Sequence, residues 1–320
     1  MKILIVSGFL GAGKTTFIKR LAKETGSEIA ILENEYAASG VDKDVLRDSP
    51  ETEGLNIWEM AEGCICCSTR KDFAESVLTI ANSIDPEYLV IEPTGVGVLS
   101  NIIRNLQAIE YERITLLAPV TILDGLSWRR YLKEYRDLYE DQLKGADQII
   151  VSKMEQAPAE ELDRLEEQLR QINPEATVIR QHYSTMPKNW WQRILETGYD
   201  KRILKKAEGE IQLPDSFSLE QVKLWAPEEL ILSLEKLIRG GYGDVIRAKG
   251  CIHAGDTALR FDVADGRYAI TGAEADTPSK AVFIGKNIRR QEIRKEWYTA
   301  SDRIRIERGE KQWKIKSRTL

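Results

Sequence analysis

Residues 8–16 read GFLGAGKTT. The run fits G-x-x-x-x-G-K-S/T at Gly8, Gly13, Lys14 and Thr15, the pattern of a phosphate-binding loop. Context supports the match. An apolar stretch, KILIVSG (2–8), precedes it and a helical pattern, TTFIKRLAKE (15–24), follows. Glycines let the backbone turn so that N–H groups converge on phosphate, and a helix N-terminus adds positive potential there. Lys14 is expected to reach the β- and γ-phosphates of a nucleotide, and the Thr15 hydroxyl to ligate Mg²⁺. Gly8, Gly11, Ala12, Gly13, Lys14, Thr15 and Thr16 form the expected phosphate-binding set.

The sequence on either side is organised to carry such a loop. Apolar runs at 2–8, 28–34, 88–93, 115–124, 148–153 and 177–181 alternate with helical patterns, among them 15–24, 73–84 and 157–172. That alternation predicts an α/β fold, a mainly parallel sheet covered by helices. Several of the strands are nearly all apolar, as a sheet buried on both faces requires. The expected nucleotide domain spans 1–185. Turn residues, aromatics and charge mix over 186–214, which reads as a linker. From 215 to 295 the pattern is shorter: a strand-like FSLEQVKLWA, a helix at 227–241 and strands at 244–252, 259–266 and 280–286. This predicts a small α+β domain with an antiparallel sheet.

Residues 296–320 are read as a basic tail, with a terminal hairpin around RGEK; 301–320 hold seven Lys or Arg against three Asp or Glu. The alternative for this tail is a docking surface. The whole chain of 320 residues has a net charge of −5, so no polyanionic partner is implied and no nucleic acid is expected. The longest weakly polar run, 114–123, is about half of what a membrane-spanning helix needs, so no membrane association is expected. Residues 1–15 lack the marks of an export signal. Three of the four cysteines are clustered, which points to a reducing compartment, and the expected location is cytoplasmic.

Two further motifs complete the expected nucleotide site. LVIEPTG (89–95) ends an apolar strand with Glu92, placed to support the Mg²⁺ water shell, and Gly95 can sense a γ-phosphate through its backbone N–H. Asp124, ending VTILD, is a second carboxylate candidate. The catalytic set is thus Lys14, Thr15 and Glu92. After the strand residues QIIV (148–151) comes Ser152-Lys153-Met154-Glu155, where guanine-selective proteins carry N-K-x-D. Lys153 keeps the aliphatic stem that lies along the base, Glu155 keeps a bidentate acceptor one methylene longer, and Ser152 lacks the amide. No Gln or His is placed to orient the attacking water, so slow intrinsic turnover is expected.

The second singular stretch is EGCICCSTR (62–70). Cys64, Cys66 and Cys67 offer three soft ligands in one short loop, suited to Zn²⁺ or Cu(I) and able to hold Co²⁺, Ni²⁺ or Fe²⁺. No second cysteine pair exists to close a structural zinc site. The loop therefore reads as an open, exchangeable transition-metal site completed by Glu33 or Glu35, by a second subunit or by a client protein; a homodimer is a candidate assembly. A redox pair and a packed, unligated triplet are the alternatives. Cys251, His182 and His253 read as core or surface residues.

SGFLGAGKTTFI, ILENEYAASGVD, EGCICCSTRKD, LVIEPTG and VTILD, in this order, resemble the CobW family of P-loop GTPases, relatives of the urease and hydrogenase nickel-insertion GTPases. VIRAKGCI and AVFIGK resemble that family's small C-terminal domain. The resemblance implies GTP hydrolysis coupled to delivery of a metal, often zinc, to a client metalloprotein, or to handling of a metal cofactor such as a corrinoid, with zinc or cobalt as cargo. An accessory GTPase that reloads a metal-cofactor enzyme, and a nucleotide-dependent binding module with negligible turnover, are the alternative readings. The chain departs from the family pattern in three places. NEFGE reads NEYAA, with Ala37 and Ala38 replacing a glycine and a glutamate; the base motif is altered; and the histidine-rich stretch of many zinc-handling members is absent, with two histidines in all.

Overall fold

A computed structural model describes residues 1–33, 56–59, 70–200 and 211–298, with the side chains of 56–59 and 70–72 left aside. The chain divides into two compact units, 1–213 and 214–320.

In the first unit the apolar runs become parallel strands. β1 (Lys2–Ser7), β2 (Ile29–Glu33), β4 (Tyr88–Glu92), β6 (Val120–Asp124) and β7 (Gln148–Ser152) are buried along almost their whole length. Completed by β3 (Asn56–Glu59), β5 (Thr115–Leu116) and β8 (Thr177–Ile179), they form, among the described residues, an eight-stranded sheet of order β3-β2-β4-β1-β6-β7-β8, with β5 also on β1. Every strand pair in this sheet is parallel. Alternation along β1 explains the two apolar layers. Leu4 and Val6 face a cluster containing Phe17, Leu21, Tyr183 and Trp191, and Ile3 and Ile5 face one containing Phe73, Val77, Leu99 and Ile102.

Among the described residues, the α-helices of this unit are α1 (Lys14–Thr25), α2 (Arg70–Ser83), α3 (Leu99–Gln107), α4 (Trp128–Glu134), α5 (Arg136–Lys144), α6 (Ala159–Ile172) and α7 (Lys188–Glu196). α1 buries Phe17, Ile18, Leu21 and Ala22, one stripe of a helix. It ends at Gly26, whose left-handed φ of 63° lets its N–H close on the Ala22 carbonyl.

Two boundaries differ from the sequence reading. The run 115–124 is two strands, because Pro119 has no N–H to give the ladder; β5 pairs with Lys2–Ile3 and β6 with Val6–Ser7, so β1 is flanked on both sides of the break. The segment 186–214 opens as part of the first unit's core: α7 carries the fully buried Trp191, whose ring lies 5.3 Å from Phe17 and 4.9 Å from Trp190. The aromatics that made this stretch look irregular are its packing face. Trp191→Ala is expected to cost about 3–5 kcal/mol in chemical denaturation. Trp191→Phe is expected to cost less than Trp191→Ala, because it keeps an aromatic ring in the pocket and removes an indole N–H that has no hydrogen-bond partner among the described residues.

The second unit is an antiparallel sheet with helices. β9 (Asp215–Glu220), β11 (Asp244–Ala254), β12 (Thr257–Ala264), β13 (Arg267–Gly272) and β14 (Lys280–Lys286) run in the order β13-β12-β11-β14-β9, and β10 (Lys223–Leu224) adds to β11 in parallel. Asp265 and Gly266, at φ 52° and 69°, form the two-residue turn between β12 and β13. α8 (Pro227–Ile238) and α9 (Arg290–Glu296) complete this unit. Its core extends past residue 295. Trp297 is fully buried, and the Tyr298 hydroxyl donates to the Glu220 carbonyl at 2.7 Å. The rest of the basic tail lies outside the described residues.

Candidate functional site

In a parallel α/β sheet, ligands gather where the strands end. β1 ends at Ser7, and the chain turns through 8–13 into α1. Gly8 sits at φ 141°, and a Cβ there would lie 2.3 Å from the Ile122 carbonyl oxygen of β6, so no other residue fits this close approach. Lys14, 8% exposed, folds back so that its Nζ donates to the Gly8 carbonyl at 3.1 Å. The Thr15 hydroxyl donates to both carboxylate oxygens of Glu92, at 2.9 and 3.0 Å. Two motifs far apart in sequence thus meet as one hydroxyl–carboxylate pair, hard oxygen donors of the kind Mg²⁺ takes.

Glu33, the last residue of β2, stands in register with Glu92 on β4 and with Glu59 on β3, and it is buried. Its strand-end position puts a candidate metal-ligand carboxylate on the strand next to Glu92. Glu35, Cys64, Cys66 and Cys67 lie outside the described residues. Among the described residues no cluster of three or more His, Cys, Asp or Glu is arranged to hold a metal ion.

After Glu92 the chain forms a turn, with the Gly97 N–H on the Thr94 carbonyl at 2.8 Å, and Gly95 presses against the phosphate loop. A Cβ on Gly95 would lie 2.4 Å from the Leu10 backbone nitrogen. This loop is held from behind by two consecutive residues of α5. The Gln142 amide donates to the carbonyls of Gly95 (3.1 Å) and Gly97 (3.0 Å), and the Asp141 carboxylate accepts the Ser100 N–H (3.1 Å) in the first turn of α3.

Burial pushes the Asp141 carboxyl above its ordinary value, against the lowering effect of its hydrogen bonds to Ser100 and Leu99. A carboxyl with a raised native pKa binds its proton more readily when folded. Its contribution to stability therefore falls as pH rises from the ordinary carboxylate range through the native value. Asp141→Asn keeps an acceptor for Ser100 and removes the buried charge. The variant is expected to be at least as stable as the parent at pH 8, with the difference shrinking toward pH 4, as read by urea midpoints at both pH values.

The base motif lies where β7 ends. Lys153 adopts a left-handed backbone, φ 62°, uncommon for a residue with a side chain. Its Nζ donates to the Gly11 carbonyl at 2.8 Å and pairs with Asp124 at 2.5 Å. Asp124, the second carboxylate candidate in the sequence, is engaged with this lysine and with the N–H groups of Leu126 and Ser127. Ser152 lacks the amide of the expected asparagine, yet its hydroxyl donates within reach of the Ala12 carbonyl (2.9 Å) and the Leu123 carbonyl (3.0 Å), so it ties β7 to the phosphate loop. Glu155 is half exposed. His182, which the sequence marked only as core or surface, lies 3.4 Å from it through Nε2. His182 Nδ1 lies 3.3 Å from the Ser184 N–H and 2.6 Å from the Ser184 hydroxyl, so that side of the ring is held by Ser184 and Nε2 faces Glu155. The signal that could have found His182 is its place just past β8, at the same edge of the sheet.

A glycine-rich loop between a central parallel strand and a helix, with a threonine–carboxylate pair at its mouth, defines a P-loop nucleotide-binding protein. The CobW/HypB/UreG nucleotide-binding domain matches residues 2–180, and the cobalamin synthesis protein cobW C-terminal domain matches 215–301; the chain belongs to this family. Among curated proteins it is similar to zinc chaperone YjiA of Escherichia coli, 29% identical over 184 residues (55% of this chain, 56% of that protein). It is also similar to zinc chaperone CobW of Pseudomonas aeruginosa, 28% over 208 residues (56% of each), and to zinc-regulated GTPase metalloprotein activator 1 of Dictyostelium discoideum, 25% over 240 residues (62% of this chain, 48% of that protein). The chain thus spans about half the length of these relatives. Among solved structures it is similar to Zn(II)-bound YjiA GTPase from E. coli, with 21% identity, TM-score 0.46, and 92% of this chain and 97% of that one covered. No helix among the described residues is long and apolar enough to cross a membrane.

Proposed function

We propose that this chain is a GTP-hydrolysing metallochaperone that binds a transition metal, zinc first, at Cys64, Cys66 and Cys67 with Glu33 or Glu35, and passes it to a client metalloprotein. The observation that carries the reading is the strand-end row in which Glu33 stands in register beside Glu92, while Glu92 takes the Thr15 hydroxyl. β3, which leads toward the cysteine triplet, ends in register with Glu33. A nucleotide centre and a candidate metal ligand therefore share neighbouring strand ends. The names of the relatives, zinc chaperones and a zinc-regulated GTPase, agree with this reading.

Gly8, Gly11, Ala12, Gly13, Lys14, Thr15 and Thr16 hold the phosphates, and Lys14 shifts from the Gly8 carbonyl to the β- and γ-phosphates. Thr15 and Glu92 would hold Mg²⁺, which neutralises phosphate charge when bound. Gly95 meets the γ-phosphate through its N–H. Ser152 and Lys153 brace the loop, and Glu155 accepts from the guanine edge with His182 at its back. Water attacks the γ-phosphorus, the bond to the β-phosphate oxygen breaks, and phosphate and GDP leave. Loss of the γ-phosphate releases the loops that faced it.

The test is a Zn²⁺ titration by competition with a chelating dye, in the presence of a non-hydrolysable GTP analogue and then of GDP. Tighter binding with the analogue supports the coupling; equal binding in the two states removes it.

A further inference from the structure

We infer that Gln142, with Asp141 beside it, is the positioning residue that sets the loop 93–98 to distinguish nucleoside triphosphate from diphosphate. This deepens the proposed nucleotide reading and rests on it.

Gln142 is 1% exposed and lies on α5, away from every sequence motif of the site. Its Nε2 donates to two carbonyls of one turn, Gly95 at 3.1 Å and Gly97 at 3.0 Å. Two carbonyl acceptors fix the orientation of the amide, so Oε1 must face away from them, and among the described residues Oε1 has no hydrogen-bond partner. A buried, unpaired polar atom costs about 1–3 kcal/mol. A side chain kept only for packing would avoid that cost by being apolar. What Gln142 gains for it is control of two peptide planes, Gly95–Val96 and Gly97–Val98.

Those planes matter because of what the turn touches. Gly95 lies so close to Leu10 of the phosphate loop that a Cβ would be 2.4 Å from the Leu10 nitrogen. The turn has no side chain at this point with which to hold itself. It is set instead by the Thr94–Gly97 backbone bond, by Gln142 at the two carbonyls and by Asp141 at the Ser100 N–H. Neighbouring α5 contacts reach the phosphate loop itself. The Phe9 ring lies 5.9 Å from Tyr139 and 5.4 Å from Tyr135, which directly precedes this helix. The residue that ends α5 closes on the start of α3, just past this turn, since a Cβ on Gly145 would meet the Leu99 side chain at 2.8 Å. α5 therefore grips the phosphate loop through Phe9 and the Gly95 turn through Gln142. The Gly95 N–H lies in the Thr94–Gly95 peptide plane, which the bond from the Gly97 N–H to the Thr94 carbonyl fixes; Gln142 fixes the planes that follow, so the turn is ordered by the fold before a terminal phosphoryl group arrives.

The test uses the full chain and two fluorescent nucleotides, a non-hydrolysable GTP analogue and GDP. Gln142→Met keeps the length of the side chain and removes both donors. It is expected to lower the ratio of analogue affinity to GDP affinity about tenfold, the factor carried by 1.4 kcal/mol, with GDP affinity within about twofold of the parent and a cooperative melting transition retained. An unchanged ratio in the folded variant overturns the inference and leaves the nucleotide reading standing. Failure of the parent chain to bind either nucleotide overturns both. Should the variant not fold, amide hydrogen exchange in the parent decides: slower exchange at Gly95 and Val96 with the analogue than with GDP supports the inference, and equal exchange overturns it.

Discussion

Lys14→Ala is expected to lower single-turnover GTP hydrolysis by at least about a thousandfold while leaving the melting temperature nearly unchanged. In the free protein the Lys14 ammonium donates to the Gly8 carbonyl at 3.1 Å, and the residue is buried at the N-terminus of α1. Holding a cation there is itself unfavourable, so its removal costs the fold little. In the proposed reaction the same group faces charge that grows on the oxygen between the β- and γ-phosphates as the bond breaks. Removing one fixed donor from such a position typically costs 10²–10³ in rate, about 2.7–4 kcal/mol, and here the donor also carries full charge. Affinity for the triphosphate is expected to fall more than affinity for GDP. A variant that retains a tenth of the parental rate would show that the glycine-rich loop is not the catalytic phosphate site.

What the sequence disclosed and what it withheld separate along one physical line. Features carried by neighbours in the chain could be read. The glycine-rich loop between KILIVSG and TTFIKRLAKE became the turn from β1 to α1, and the all-apolar runs became strands buried on both faces. Features made by contacts between distant residues could not. Gln142 is an ordinary helical residue in the sequence, and only the passage of α3 and the Gly95 turn across α5 gives its amide two carbonyls. His182 acquires significance from the parallel placement of β7 and β8, which brings residue 155 beside residue 182. The serine at 152 looked like a loss because side-chain type alone was legible, whereas its hydroxyl still reaches the phosphate loop at Ala12. Composition also hid the helix at Lys188–Glu196. Proline, tryptophan and charge resemble a linker, but the spacing of Trp191, Ile194 and Leu195 is that of a buried helix face.

Cys66→Ala is expected to weaken Zn²⁺ binding by more than the 10–100-fold that loss of a supporting contact brings, because in the proposed site it removes a direct thiolate ligand. It is also expected to abolish the difference in metal affinity between the GTP-analogue and GDP states. The second effect is the informative one. Linkage requires that whatever the terminal phosphate does to metal affinity, the metal does equally to the preference for triphosphate; couplings of this kind run to about 1–3 kcal/mol, or 5–150-fold. The route for such coupling is short. Thr15 bonds Glu92, Glu92 lies in register with Glu33, and Glu33 lies in register with Glu59 on the strand leading toward the cysteines. A ligand that tilts Glu92 or its strand end acts within two strands of a candidate metal ligand. The measurement is a thermodynamic square: zinc affinity with analogue and with GDP, and analogue and GDP affinities with and without zinc, for the parent and for Cys66→Ala. In the parent the two ratios should be equal and different from one, and in the variant both should fall to one with GDP affinity intact. If the parental ratios are already one, metal and nucleotide occupy the chain independently, and hydrolysis has no means of releasing the cargo.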